Sequence, residues 1–148
     1  MTFKRNNNRP DKRRELELLH KWISELKRES KKKPVIVEGN KDRVTMAKFG
    51  VKTQQIHKIH NSLDERVEEL SKNNECIPLF DLDKAGRKLH AKIKGDLQHA
   101  GVKVNSSFRN FLLAKTRLRF IEGLDTYLKN LQSNMENGKK RNSYSWNR

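Results

Sequence analysis

The chain has 148 residues, with 34 Lys or Arg against 18 Asp or Glu, a net charge of +16 and a hydrophobic fraction of 33%. That length supports one modest domain with a single core, and the charge favours a polyanionic partner. No apolar run approaches the ~18 residues of a spanning helix, no signal-peptide pattern opens the chain, and one cysteine, Cys76, excludes an internal disulfide, so a cytoplasmic protein without oxidative chemistry is expected.

Residues 1–14 carry six basic side chains, Lys4, Arg5, Arg9, Lys12, Arg13 and Arg14, against one acid, Asp11, and read as a basic flexible tail. Leu16, Leu19, Trp22, Ile23 and Leu26 recur at three- and four-residue steps, which predicts an amphipathic helix over 15–32 that docks on the domain. Pro34 ends it. Val35 to Val37 is β-branched throughout and predicts a buried strand, followed by Glu38 and Gly39. Asp42 is expected to cap a helix from Arg43 to Phe49, with Val44 and Ala47 facing inward and Gly50 as its stop.

A weaker strand is predicted from Gln55 to Ile59. Ser62 or Asn61 starts a helix that buries Leu63, Val67 and Leu70. Cys76 to Leu82 predicts a third strand, although Pro78 argues against full pairing. A long helix follows Asp83, with Leu89, Ile93, Leu97 and Ala100 on one face and Gly101 as its stop. Val102 to Val104 is a short fourth strand. Strands and helices in alternation call for an α/β fold: a mainly parallel four-stranded sheet with helices on both faces. This core is expected over 33–105, with a C-terminal helical part of the same domain over 106–132, broken near Lys115 or Gly123. From 133 to 148 the chain turns polar and basic and reads as a second flexible tail.

Two stretches share one pattern. PVIVEGNKD (34–42) and IPLFDLDKAG (77–86) each run from an apolar strand into carboxylates and a glycine. In open α/β sheets the carboxyl ends of the strands form the ligand crevice, so Glu38, Asp81 and Asp83 meet there if the two strands are neighbours. Hard oxygen donors at this spacing suit Mg²⁺ or Mn²⁺, ions that accept one or two protein carboxylates together with phosphate oxygens and water. A phosphodiester then becomes the natural reactant, with Glu38 moving a proton to or from the attacking or leaving oxygen. Asp83 alone has the bland alternative of a helix cap, as does Asp42. Gly39 and Gly86 suit either close approach to a ligand or a tight turn. Lys41, Lys84 and Arg87 lie beside the carboxylates, either holding phosphate or simply solvated. For His57 and His60 a metal role is not expected without a third ligand, and a loop-lining or RNA-contact role stays open.

VEGNKD and DLDKAG, in this order and separated by two helix-sized stretches, resemble the signature of the Toprim domain of topoisomerases, bacterial-type primases, OLD-family nucleases and the ribonuclease that matures 5S ribosomal RNA. The layout over about 33–131 is most similar to small stand-alone archaeal Toprim proteins. The resemblance implies a Rossmann-like Toprim fold, Glu38 as general acid or base, and Asp81 and Asp83, with Glu38, as ligands of Mg²⁺. No domain with a catalytic tyrosine, no zinc module with the extra primase core, and no dedicated RNA-binding half accompanies the motifs, so the substrate is not inherited. The basic ends, with Lys139, Lys140, Arg141 and Arg148 at the second one, are expected to grip nucleic acid, with Tyr144 and Trp146 available to stack on bases. Three readings follow: an Mg²⁺-dependent nuclease acting on structured or ribosomal RNA, a non-catalytic factor bound to ribosomal RNA or a ribosomal subunit, and a DNA-directed nuclease. Asn-rich basic ends with terminal aromatics favour RNA.

Overall fold

The structure, a computed structural model, describes the backbone of residues 10–145 and the side chains of residues 10–136. Asp11 accepts the amide of Arg14 and so starts α1, Lys12–Glu29. The chain then runs β1 (Val35–Val37), α2 (Asn40–Lys48), β2 (Gln54–Gln55), α3 (Leu63–Leu70), β3 (Glu75–Pro78), α4 (Lys84–His99), β4 (Lys103–Val104), α5 (Ser107–Lys115), a 3-10 turn (Ile121–Gly123) and α6 (Leu124–Ser145). All pairings are parallel, in the order β2-β1-β3-β4. The result is a Rossmann-like α/β fold with a four-stranded sheet.

Alternation along the strands divides the core in two. Val35, Val37, Ile77 and Leu79 point to a layer built by Leu19, Trp22 and Leu26 of α1, Leu112 of α5 and Leu124 and Leu128 of α6. Ile36, Cys76 and Phe80 point the other way, onto Val67 and Leu70 of α3 and Ile93 and Leu97 of α4. Both faces of β1 and β3 are therefore buried, which is why those strands read as continuous apolar runs rather than alternating ones. Cys76 is core filler, as its apolar setting implies.

Several boundaries differ from the sequence expectations, each for a local reason. Lys12, Arg13 and Arg14 belong to α1 rather than to a tail, and both arginines reach Glu17, at 3.8 and 3.3 Å; Lys4, Arg5 and Arg9 lie outside the described residues. Asp42 caps α2 from its third position rather than from the N-cap, which is Gly39, accepting the Gly39 amide at 3.2 Å. On this helix Thr45 and Met46 are buried, whereas Val44 is exposed and Ala47, like it expected to face inward, is buried. The strand expected over 55–59 shrinks to Gln54–Gln55, and Ile59 is exposed in the turn closed by Lys58 and Asn61. Pro78 ends β3; the flanking amides of Ile77 and Leu79 face β1, so the missing donor faces β4, which has already ended at Val104. Ala100 is exposed at the end of α4. Beyond 133 the backbone stays helical to Ser145, since a helix anchored by Leu124, Leu128 and Leu131 propagates into polar sequence at little cost. The side chains of Lys139, Lys140, Arg141 and Tyr144, and all of Trp146 and Arg148, lie outside the described residues.

Helix α1 docks through Trp22, whose indole donates to the Phe108 carbonyl at 3.0 Å while the ring meets Phe108 edge-on and stacks with Phe111. Trp22→Ala should destabilise the fold by about 3–5 kcal/mol, and Trp22→Phe, which keeps most of the packing and loses the hydrogen bond, by about 1 kcal/mol. Denaturant midpoints of the two variants check the ranking.

Candidate functional site

The register Val35↔Ile77 and Ile36↔Pro78 aligns the carboxyl ends of β1 and β3, so the chain emerges from both at one edge of the sheet. Glu38 follows β1 directly and its Oε1 accepts the Asp81 amide at 3.3 Å. Asp81 Oδ1 in turn accepts the Ile121 amide at 2.9 Å, tying the 3-10 turn to the sheet edge. Glu38 and Asp81 thus line one open crevice of about 350 Å³ together with Asp42, His57, Lys41 and Glu122.

Asp83 takes a different position from its partner in the DLD stretch. It caps α4, accepting the Gly86 amide at 2.8 Å, and does not line the crevice, although its charge is felt by both Glu38 and Asp81. Lys84 and Arg87 follow it on the first turn of α4. Gly86 is a steric requirement: a Cβ there would fall well inside contact distance of the Asp81 carbonyl oxygen and carbon. At Gly39 a Cβ would meet nothing within 4 Å, leaving open space at the exit of β1.

No carboxylate of this group has an ion-pair partner among the described residues; the cations near them make no ion pairs either, including Lys41, Lys84 and Arg87. Burial raises the pKa of Glu38 above its ordinary value, the Asp81 amide opposes this, and the charges of Asp42 and Asp83 add to it. Asp81 is pushed up to about 6, first by burial and then, against the Ile121 amide, by the charges of Asp42, Glu38 and Asp83. Asp42 is raised by burial and by Glu122. Beneath them lies Arg109 of α5, 3% exposed, which donates to the carbonyls of Phe80 at 3.1 Å and Asp81 at 2.8 Å. Its guanidinium gives two donors to the backbone of the strand exit, and its charge acts on Asp81, Asp83 and Glu38 from below.

For a divalent cation the donor set fits in a limited form. Among the described residues no three His, Cys, Asp or Glu side chains converge closely enough to hold an ion alone. Each of Glu38, Asp81 and Asp83 commits one oxygen to a backbone amide and keeps the other without a hydrogen-bond partner. A hydrated Mg²⁺ needs only one or two such carboxylates, whereas a dry cage needs more. Asp81, buried among like charges, is the first candidate ligand, with Glu38 and Asp83 beside it.

Of the residues expected from sequence, Glu38, Asp81 and Lys41 line the crevice, as does His57, for which a loop-lining or RNA-contact role stayed open, whereas Asp83, Lys84 and Arg87 lie outside its lining. Sequence reasoning missed Glu122 and Arg109, which reach the sheet edge through tertiary contacts alone, and it assigned Asp42 to a capping role that coexists with its place in the crevice.

Comparison with known proteins finds relatives in sequence and one in structure. A UPF0292 protein of Methanocaldococcus jannaschii is 37% identical over 118 residues, spanning 76% of this chain and 91% of that protein. One from Methanosarcina barkeri is 30% identical over 124 residues, 81% of this chain and 87% of that protein. A protein of solved structure from Aquifex aeolicus is 34% identical with a TM-score of 0.61, covering 70% of this chain and 95% of that one. No family model matches the chain.

Two outcomes are expected. Gly86→Ala should cost about 1–3 kcal/mol, because backbone must move to admit the methyl group; an unchanged denaturant midpoint would show that the approach of α4 to Asp81 is looser than described. The folded pKa of Asp81, about 6, lies above its ordinary value of 3.8, so the folded state retains a proton that the unfolded chain releases. Stability therefore falls as pH rises from about 4 to 6. Asp81→Asn keeps an acceptor for Ile121 and removes the charge. In metal-free buffer it should raise Tm by several degrees at about pH 7.5, with the gain fading near pH 4; thermal melts across that range test the sign.

Proposed function

The chain belongs to the UPF0292 family, and from that premise we propose that it is a Toprim-type, cytoplasmic, nucleic-acid-binding protein that cleaves a phosphodiester of structured or ribosomal RNA with a bound Mg²⁺ or Mn²⁺. The observation that carries the reading is the group of half-buried carboxylates at the adjacent ends of β1 and β3, without an ion pair among the described residues, on a chain of net charge +16. The family resemblance of VEGNKD and DLDKAG supports the same chemistry. Among the described residues no helix is long and apolar enough to cross a membrane.

When bound, the cation neutralises the phosphate and makes a coordinated water more acidic than bulk water. Asp81 would hold it, aided by Glu38 or Asp83. Glu38, its pKa raised by burial, is suited to exchange a proton with the attacking or leaving oxygen. Lys41 at the crevice and Lys84 and Arg87 on α4, free of carboxylate partners, orient the neighbouring phosphates. The basic ends add sequence-independent affinity.

A second reading, a non-catalytic ribosomal RNA-binding factor, is favoured by one observation: Asp83 is already occupied as the cap of α4. The double variant Asp81→Asn with Asp83→Asn separates the two. For the nuclease, it should abolish metal-dependent cleavage of RNA and leave RNA affinity within about twofold or raise it, since negative charge is removed; Glu38→Gln should slow cleavage by about 10²–10⁴-fold. Wild-type protein that cuts neither RNA nor DNA at any Mg²⁺ or Mn²⁺ concentration, yet binds RNA, leaves only the binding factor. Cleavage of duplex DNA in preference to RNA would move the activity to DNA.

A further inference from the structure

Between α5 and the 3-10 turn, residues 116–120 run without helical or strand pairing but are held at many points. The Leu82 amide donates to the Arg119 carbonyl at 2.7 Å, the Ile121 amide to Asp81 Oδ1 at 2.9 Å, the Arg117 amide to the Tyr127 hydroxyl at 3.0 Å, and the Leu118 amide to Thr116 Oγ1 at 3.2 Å. Leu118 and Ile121 are buried and anchor this strap to the core. Arg117, Arg119 and Phe120 are left pointing outward. Phe120 is 46% exposed, whereas every other phenylalanine among the described residues is buried or half-buried. Both arginines are exposed, and neither makes an ion pair among the described residues.

Because the Ile121 amide ties the strap to Asp81, the exposed Phe120 ring stands on held backbone one residue from that bond and suits a ligand with a flat apolar face. Arg117 and Arg119, both just before Phe120 in the strap, suit an anionic ligand. The opposite side of the crevice repeats the theme. Beyond β2, the turn carrying Ile59, 96% exposed, is fastened through Asn61 Nδ2 and Lys58 Nζ to Glu69, at 2.5 and 3.6 Å. In the sheet order β2-β1-β3, the exit bearing Glu38 lies between the exits that lead to Ile59 and to the strap at Asp81. Carboxylates in the middle with apolar groups to either side match a polynucleotide whose backbone crosses the crevice and whose bases turn outward onto the protein.

We propose that the 116–120 strap is a stacking platform, Phe120 taking the face of an unpaired nucleobase next to the phosphodiester and Arg117 and Arg119 the adjoining phosphates. A base can present its face to a side chain only when it is not stacked within a duplex, so the substrate is a loop, bulge or single strand and not a continuous helix. This rests on the phosphodiester reading of the crevice for its biological meaning, but its own content is binding.

The full chain, in EDTA so that no cleavage contributes, is titrated into a fluorescently labelled single-stranded RNA of about 12 nucleotides and into a blunt duplex of the same sequence. Phe120→Ala should weaken single-strand binding about 5- to 100-fold and duplex binding less than about twofold, with Phe120→Tyr restoring the single-strand affinity. Phe120→Trp should gain, over wild type, an emission that the single strand quenches and the duplex does not; this readout requires no loss of stability to interpret. Equal weakening of both substrates, no weakening of either, or an unquenched Trp signal overturns the platform. So does a change of sedimentation coefficient in Phe120→Ala without a change in RNA affinity, which would give the ring to a second copy of the chain. Because Asp81 and Asp83 are intact and metal is absent, failure here leaves the cleavage reading standing, and failure of cleavage leaves the platform standing.

Discussion

Parallel pairing of β1 with β3 is the constraint on which the site depends. With Ile36 opposite Pro78 and the Leu79 amide bonded to the Ile36 carbonyl, both strands end level, and the next residues, Glu38 and Asp81, have nowhere to go but the same edge. A shift of one residue in that register would send each apolar side chain to the opposite layer of the core and part the two carboxylates at once. The interior and the site are therefore specified by the same pairing. The tight seating of Gly86 against Asp81 and the Arg109 fork on the Phe80 and Asp81 carbonyls fix the strand exit from two further directions.

The electrostatic arrangement is unusual for a structural surface. Some lysines elsewhere find partners: Lys33 bridges Glu29 and Glu75, and Lys48 reaches Asp125. At the sheet edge, acids and bases lie close together and stay apart. Burial raises the carboxyl pKa values, and the positive charge below is committed to backbone oxygens. The cluster is destabilised relative to one relieved by a bound cation, which is the condition for metal binding to stabilise the fold.

Much of this was legible in the sequence because it depends on local signals. Val35 to Val37 and the IPLF run announce buried strands by composition, and Gly50 and Gly101 mark helix ends through a backbone conformation that glycine adopts easily, with φ of 75° and 85°. Helix periodicity placed Leu19, Trp22 and Leu26 on the docking face of α1. What was not legible depends on contacts across the fold. Arg109 looks like any surface arginine of a basic helix until α5 is seen to cross the end of β3. Glu122 joins the crevice beside the bond from the Ile121 amide to Asp81. Residues 55–59 were read as a strand because Ile56 and Ile59 alternate poorly but acceptably, whereas the ladder ends at Gln55 and leaves Ile59 in solvent.

The path from Glu15 to the site has a consequence for how this protein can be dissected. Glu15 of α1 accepts from the Tyr127 hydroxyl of α6, and that hydroxyl accepts from the Arg117 amide at the head of the strap that ends at Asp81. The two outer helices are thus joined to the sheet edge by a relay of three hydrogen bonds that spans both ends of the primary structure. A fragment trimmed to its strands and their crossovers would lose the clasp, so genetic fusions and circular permutants that respect the architecture should open the chain in the Ile59 turn and keep its two termini on one polypeptide.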